Sequence, residues 1–294
     1  ENGTYSLRLT SVNYLSNGIV ECSAKFNDNA VYTSNATTDT GTLPDGTISL
    51  PSPSAYVLLD IPLLLDTYDQ AGFALAMCGL TAGWSGGSIF KSADSGQTWA
   101  LINGFTVSSV IGVASNALAA PVEHRLIDKS SALAVSLYGG QSLSSVTELQ
   151  MLNGSNHFAY GLDGRWEIIA AQNCDLQGDG SYLLTDLLRG RFGTEWAMSS
   201  HVAGDGVILL DPNRIQFAST NLNLIGASLD YRGVTAGQNI NSAASSAFSY
   251  DGVNLECLAP VYLNGNRHPS TNDWSLTWLR RTRVGGEWRD YVDA

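Results

Sequence analysis

Histidine and cysteine are the residue types most able to do chemistry, and their spacing here excludes most of it. Cys22, Cys78, Cys174 and Cys257 stand far apart with no CxxC pair, and His124, His157, His201 and His268 are equally scattered. A zinc centre takes its ligands from closely spaced pairs, so no metal site is expected. Four cysteines in 294 residues are too sparse for a disulfide scaffold. Each lies in an apolar run such as "IVECSAKF" or "FALAMCGL", which predicts four buried free thiols. There is no GxSxG elbow for a serine nucleophile, and no GxGxxG or Walker loop after a strand to cradle phosphates. Glu123 with Asp128, or Glu167 with Asp175, could act as the acid and base of glycoside cleavage, where two carboxyl groups stand about 5–9 Å apart. Nothing in the spacing selects them from 27 acidic residues, and the expectation is solvated acids at strand ends and turns. No catalytic residue and no cofactor is assigned.

Two polar motifs remain. In "YLLTDLLRGRFGTEWAMSSH", Arg189 and Arg191 flank a glycine, Gly193 and Thr194 precede Glu195, and His201 follows. Such a loop either grips a carboxylate or phosphate through bidentate hydrogen bonds or is a strut whose guanidiniums bind carbonyls and acids of the same chain. The strut is expected for both arginines. The second motif, Ser92, Asp94, Gly96, Thr98 and Trp99 in "SADSGQTW", resembles the Asp-box of bacterial sialidases. Its physics is that of a hairpin turn: hydroxyl and carboxylate satisfy turn amides, glycine allows positive φ, and the indole packs beneath. Sialidases repeat the motif around a propeller and hold the substrate carboxylate with three arginines. Here it occurs once and arginine is sparse before residue 189, so the turn is read as structural. Trp84, Trp99 and Trp166 are the candidates for a sugar platform, against which stands burial in small β cores.

The elements that must position these residues read as strands. Glycine (30), Trp (7), Tyr (12) and many Ser and Thr favour sheets and hairpins, and charged residues are only 14%. "YSLRLTSVNYLSNGIVECSAKF" is two alternating runs joined at Asn17-Gly18, a type I′ hairpin signal. Short apolar segments continue to residue 257, and one short helix is expected near 142–152. The fold class is therefore all-β, with two or more barrel or sandwich units. The net charge of −12 opposes binding to nucleic acid, and no run reaches the about 20 apolar residues of a membrane span. The chain starts at Glu1 with no signal-peptide pattern, and reads as an excised piece or a processed product.

Several segments, in order, resemble the large tail-tip or host-specificity proteins of long-tailed phages and gene transfer agents. They are "VLLDIPLLLD" (57–66), "ELQMLNGSNHFAYG" (148–161), "YLLTDLLRGRFGTEWA" followed by "HVAGDGVILLD", "YRGVTAGQ" (231–238) and "TWLRRTRVGGEWRD" (277–290). In that family an arginine–glycine loop precedes a histidine and an "AGD" turn, as here. The resemblance implies a structural hub segment of the virion tail tip, synthesised in the bacterial host cytoplasm. It would act by assembly with other tail proteins, as a homotrimer, and by host attachment. A carbohydrate-binding module for host surface glycan is the alternative. The expected organisation is a β-hairpin region ending in a polar linker (1–54) and a β-rich region (55–257). Within the latter, 55–118 and 203–257 would form a barrel around an inserted unit (119–202). Residues 258–294 would begin a fibronectin type III-like module too short to close a sandwich of near 90–100 residues.

Overall fold

The computed structural model describes residues 4–15, 18–27, 52–121 and 123–281. Most of the expected linker, Asn17 and the end of the fibronectin-like segment lie outside them. The chain divides into two units, 1–49 and 50–294.

The first unit is a hairpin. Strand β1 (Leu7–Tyr14) pairs antiparallel with β2 (Val20–Phe26), and Gly18 takes φ +78° in the turn. A bulge between Leu9 and Ser11 shifts the register so that Leu7, Leu9, Val12 and Tyr14 stay opposite Phe26, Ala24, Cys22 and Val20. One face is therefore apolar throughout, as the alternation requires.

The second unit is almost entirely β. Its centre is a closed barrel of six strands in the order β10-β11-β8-β7-β12-β9. The strands are β7 (Ile111–Ala114), β8 (Leu133–Leu137), β9 (His157–Gly161), β10 (Glu167–Leu176), β11 (Tyr182–Arg191) and β12 (Gly206–Leu209). Leu133, Val135, Phe158, Tyr160, Ile169 and Leu184 fill its interior. Helix α1 (Glu148–Leu152) lies within the expected 142–152 segment and starts at a capping box of Thr147 and Gln150.

Two larger open sheets flank the barrel in sequence. One orders β13 (Gln216–Ser219), β4 (Gly72–Gly79) and β3 (Ser54–Leu59). The other orders β15 (Ser245–Ser249), β14 (Ser228–Thr235), β5 (Gly87–Ser92) and β6 (Ala100–Phe105). The first is packed on both faces, which explains why all eight residues of β4 are buried. Phe73, Leu75 and Met77 meet Ile89, Tyr231 and Phe248 of the second sheet. The small residues Ala74, Ala76 and Cys78 let the barrel approach from the other side through Ile111, Ile168 and Ile208. Asp60 pins the edge of this layer by accepting from the amides of Asp251 (2.6 Å), Gly252 (3.1 Å) and Val253 (3.0 Å).

The closed barrel thus comes from residues 111–209, and the flanks 54–105 and 216–249 form the open sheets. This reverses the expected assignment of the barrel to the flanks. Closure depends on the pairings of β12 with β9 and with β7, strands far apart in sequence that no local pattern brings together. From Pro260 onward the described residues form one hairpin, β16 (Val261–Arg267) with β17 (Trp274–Leu279).

All four cysteines are free, but only Cys78 and Cys174 are buried; Cys22 and Cys257 are exposed. The expectation of four buried thiols fails at Cys22 because, among the described residues of its unit, the two-stranded hairpin has nothing packed over the face that carries it. Burial pushes Cys78 up to about 11, and burial with the Asp175 charge pushes Cys174 to about 12. A thiol reagent at pH 8 should label two residues rapidly in the native chain and four after unfolding without reductant. Fewer than four in urea, or four fast in the native state, would contradict this structure.

Candidate functional site

The arginine–glycine loop closes one end of the barrel with charge. Glu167 opens β10 in the same alternation as Ile169 and Ala171, so it continues the inward-facing series, and it is completely buried. A lone carboxylate there would be prohibitively costly. Arg189 supplies a forked pair, Nε to Oε1 at 2.7 Å and Nη2 to Oε2 at 2.8 Å, and its remaining arm donates to the Ala119 carbonyl at 3.0 Å. The Gly190 amide donates to Oε1 at 2.8 Å. His201 Nε2 lies 2.7 Å from Oε2, and its Nδ1 lies 3.2 Å from Asp205 Oδ2. Asp205 in turn pairs with Arg165 and accepts from the Val202 amide. The Tyr160 ring stacks on His201 with centroids 3.9 Å apart. Five charged or titratable groups, from Arg189 to Arg165, therefore form one continuous chain of contacts.

Burial pushes Glu167 upward, but the hydrogen bonds from His201 and Arg189, the Arg189 charge and the Gly190 amide outweigh it and hold the carboxyl below its usual range. Asp205 is also held low, with burial opposed chiefly by Arg165. Two glycines shape the loop. Gly190 (φ +58°) and Gly193 (φ +87°) both occupy the left-handed region, and a Cβ on Gly193 would lie 2.4 Å from Leu258 Cδ2. Thr194 locks the loop to β10, accepting from the Ile168 amide at 2.9 Å and donating to the Arg191 carbonyl at 2.8 Å.

Arg191 departs from the expected strut. Its side chain is exposed and lines an open cavity of about 940 Å³, while Glu195 at the same rim pairs with Arg281 at 2.8 Å. Glu167 is not paired with Asp175, which sits exposed further along β10. Asp128 caps a turn by accepting from Ser130 and Ser131, and Glu123 lies beside Arg125. Sequence reasoning missed Arg165, Glu167 as an ion-pair partner, and Asp205. The available signal was a charged pair at the head of the apolar strand "RWEIIAAQ".

The Asp94 turn is built from its own side chains. Ser92 Oγ donates to Asp94 Oδ1 (2.7 Å) and accepts from the Gly96 amide (2.9 Å), and the Thr98 amide and hydroxyl donate to the Asp94 carboxylate. Trp99 Nε1 donates to the Gly96 carbonyl, and the Arg232 guanidinium covers its ring at 4.3 Å. The three tryptophans do not form an open platform. Trp166 is 4% exposed in the layer between barrel and sheet, and Trp84 is half-buried with its indole donating to Ser54. Among the described residues, Trp196, Trp274 and Trp278 are the exposed tryptophans. Among the described residues, no three His, Cys, Asp or Glu side chains gather to hold a metal, and no helix is long and apolar enough to cross a membrane.

Fold and site together define an all-β protein organised around an ion-plugged barrel. Residues 109–208, 100 of the 294, match the family described as Rcc01698-like, C-terminal, whose namesake is from a gene-transfer-agent-related region. The matched segment contains β7 to β11 whole and most of β12, so the unit that is similar to this family is the closed barrel with its buried charges. No curated protein matches the chain.

Proposed function

We propose that the chain is a structural segment of a phage-type or gene-transfer-agent tail tip, acting through protein–protein assembly and host attachment rather than bond chemistry. The carrying observation is that the gene-transfer-agent-related match covers the closed barrel from β7 into β12. The ordered segments from 57 to 290 that resemble tail-tip proteins extend the same reading to the flanking sheets. Glu167 is bound into ion pairs and kept charged, which suits a rigid frame and not a general acid. The partners in this reading are other tail proteins, with the chain as a homotrimer in the virion after synthesis in the bacterial cytoplasm.

The exposed turn at Asp179-Gly180 offers a place for an affinity tag that leaves the barrel intact. Particles made with the tagged chain should be captured intact by the tag, and particles lacking the chain should fail to attach to cells. Purified, infective particles without the chain would end this reading.

A further inference from the structure

The cavity beside Arg191 concentrates positive charge in a chain of net charge −12. Among the described residues, five of the chain's 15 Lys and Arg line it: Arg125, Arg189, Arg191, Arg280 and Arg281. Three are held by the chain itself. Arg189 is bound to Glu167, Arg281 to Glu195, and Arg125 donates to the Tyr262 hydroxyl at 2.9 Å with its guanidinium 5.6 Å from that ring. The guanidiniums of Arg191 and Arg280 have no ion-pair or hydrogen-bond partner among the described residues. Glu195, already engaged by Arg281, is the lone carboxylate among the described lining residues. Gathering like charges in a concave site works against folding unless an anion shares the space.

The rest of the lining narrows the anion. Leu63, Leu64, Phe192 and Leu258 give apolar walls, and Tyr262 presents an exposed ring from a backbone at φ +55°, a conformation bulky residues rarely take. The volume of about 940 Å³ belongs to the small-molecule class, about 300–1,000 Å³, and not to a flat macromolecular face. Planar guanidiniums suit a carboxylate or phosphate, and an aromatic face beside them suits the C–H face of a sugar ring.

We propose that this cavity binds an acidic saccharide, its carboxylate or phosphate held by Arg191 and Arg280 and its ring laid on Tyr262. The inference rests on the chain's own cavity and is independent of the assembly reading. Failure to enter particles would leave it standing, and a protein that enters particles need not show it.

Calorimetric titration of the full chain with trigalacturonate, sialyl-lactose and glucose 6-phosphate tests it. At least one should bind, and should bind at least about tenfold more tightly than its neutral counterpart, inorganic phosphate or tetraglutamate. Arg191→Ala with Arg280→Ala, and separately Tyr262→Ala, should each weaken that binding about tenfold or more with native melting retained. Should the alanine pair fail to fold, Arg191→Lys with Arg280→Lys keeps the charge and must still lose the forked contact. Absence of binding by all three sugars overturns the proposal. Equal binding of phosphate would mean a bare anion site, and equal binding of tetraglutamate an acidic peptide site; either result overturns it, as does binding indifferent to the variants.

Discussion

Arg189→Ala should cost about 3–5 kcal/mol of unfolding free energy, because it strands Glu167 as a buried carboxylate without its forked partner. Against a usual total of about 5–15 kcal/mol, that is enough to lower the urea midpoint steeply or to prevent recovery of folded chain. Glu167→Ala should cost a similar amount, since it takes from the Arg189 fork, His201 Nε2 and the Gly190 amide the acceptor they share. Removing both partners should cost much less than the sum, and a double-mutant cycle reads that coupling directly. Arg189→Lys should remain impaired because one ammonium cannot reproduce the fork and also reach the Ala119 carbonyl. Arg191→Ala, two residues along the same loop, should melt like the parent. Equal and small shifts for the two arginines would mean that the barrel end is not held by charge.

The difference between these arginines shows what the sequence could and could not reveal. The loop itself was legible, because an Arg-Gly-Arg-x-Gly-Thr run on an otherwise apolar strand needs partners. Regular strand parity would put Arg189 and Arg191, two residues apart, on one face. A bulge breaks it, since Ile168 and Ala170 stand opposite Arg191 and Leu188, and so Arg189 is buried while Arg191 is exposed. Glu167 read as one acid among many because its partners are 22 and 34 residues away. Trp166 was a sugar-platform candidate set against burial in a β core, and burial is what it shows: it alternates with the inward Glu167 and so joins Ile168 on the barrel's outer face, under the three-stranded sheet. The Asp94 turn was legible in detail because its hydrogen bonds span only four residues. The run "FALAMCGL" read as an apolar segment burying Cys78, and β4 is indeed buried along its whole length. The run did not announce that small residues would face the barrel and large ones the other sheet. That is a matter of which layers meet.

The same buried network should make the fold acid-labile in a way a single variant can isolate. In the folded chain Glu167 and Asp205 are held below their usual range, whereas the unfolded chain returns them to ordinary values near 4. Above that pH neither state binds the proton and the stabilisation is fully present. As the pH falls below it, the unfolded chain takes up protons first, and stability is lost until the folded carboxylates also protonate. Asp60 has the opposite sign. Burial pushes it up to about 6 against three amide hydrogen bonds, so the folded chain takes up its proton first and gains stability as the pH falls from about 6 towards 4. Urea midpoints of the parent and of Glu167→Gln, measured from pH 7 to pH 3, should therefore stand far apart at pH 7 and converge below about pH 4. The same series for Asp60→Asn should lack the parent's gain between pH 6 and 4. A Glu167→Gln gap that stays constant to pH 3 would show that ionisation of this carboxylate is not linked to folding. The ion-paired closure of the barrel would then have to be abandoned.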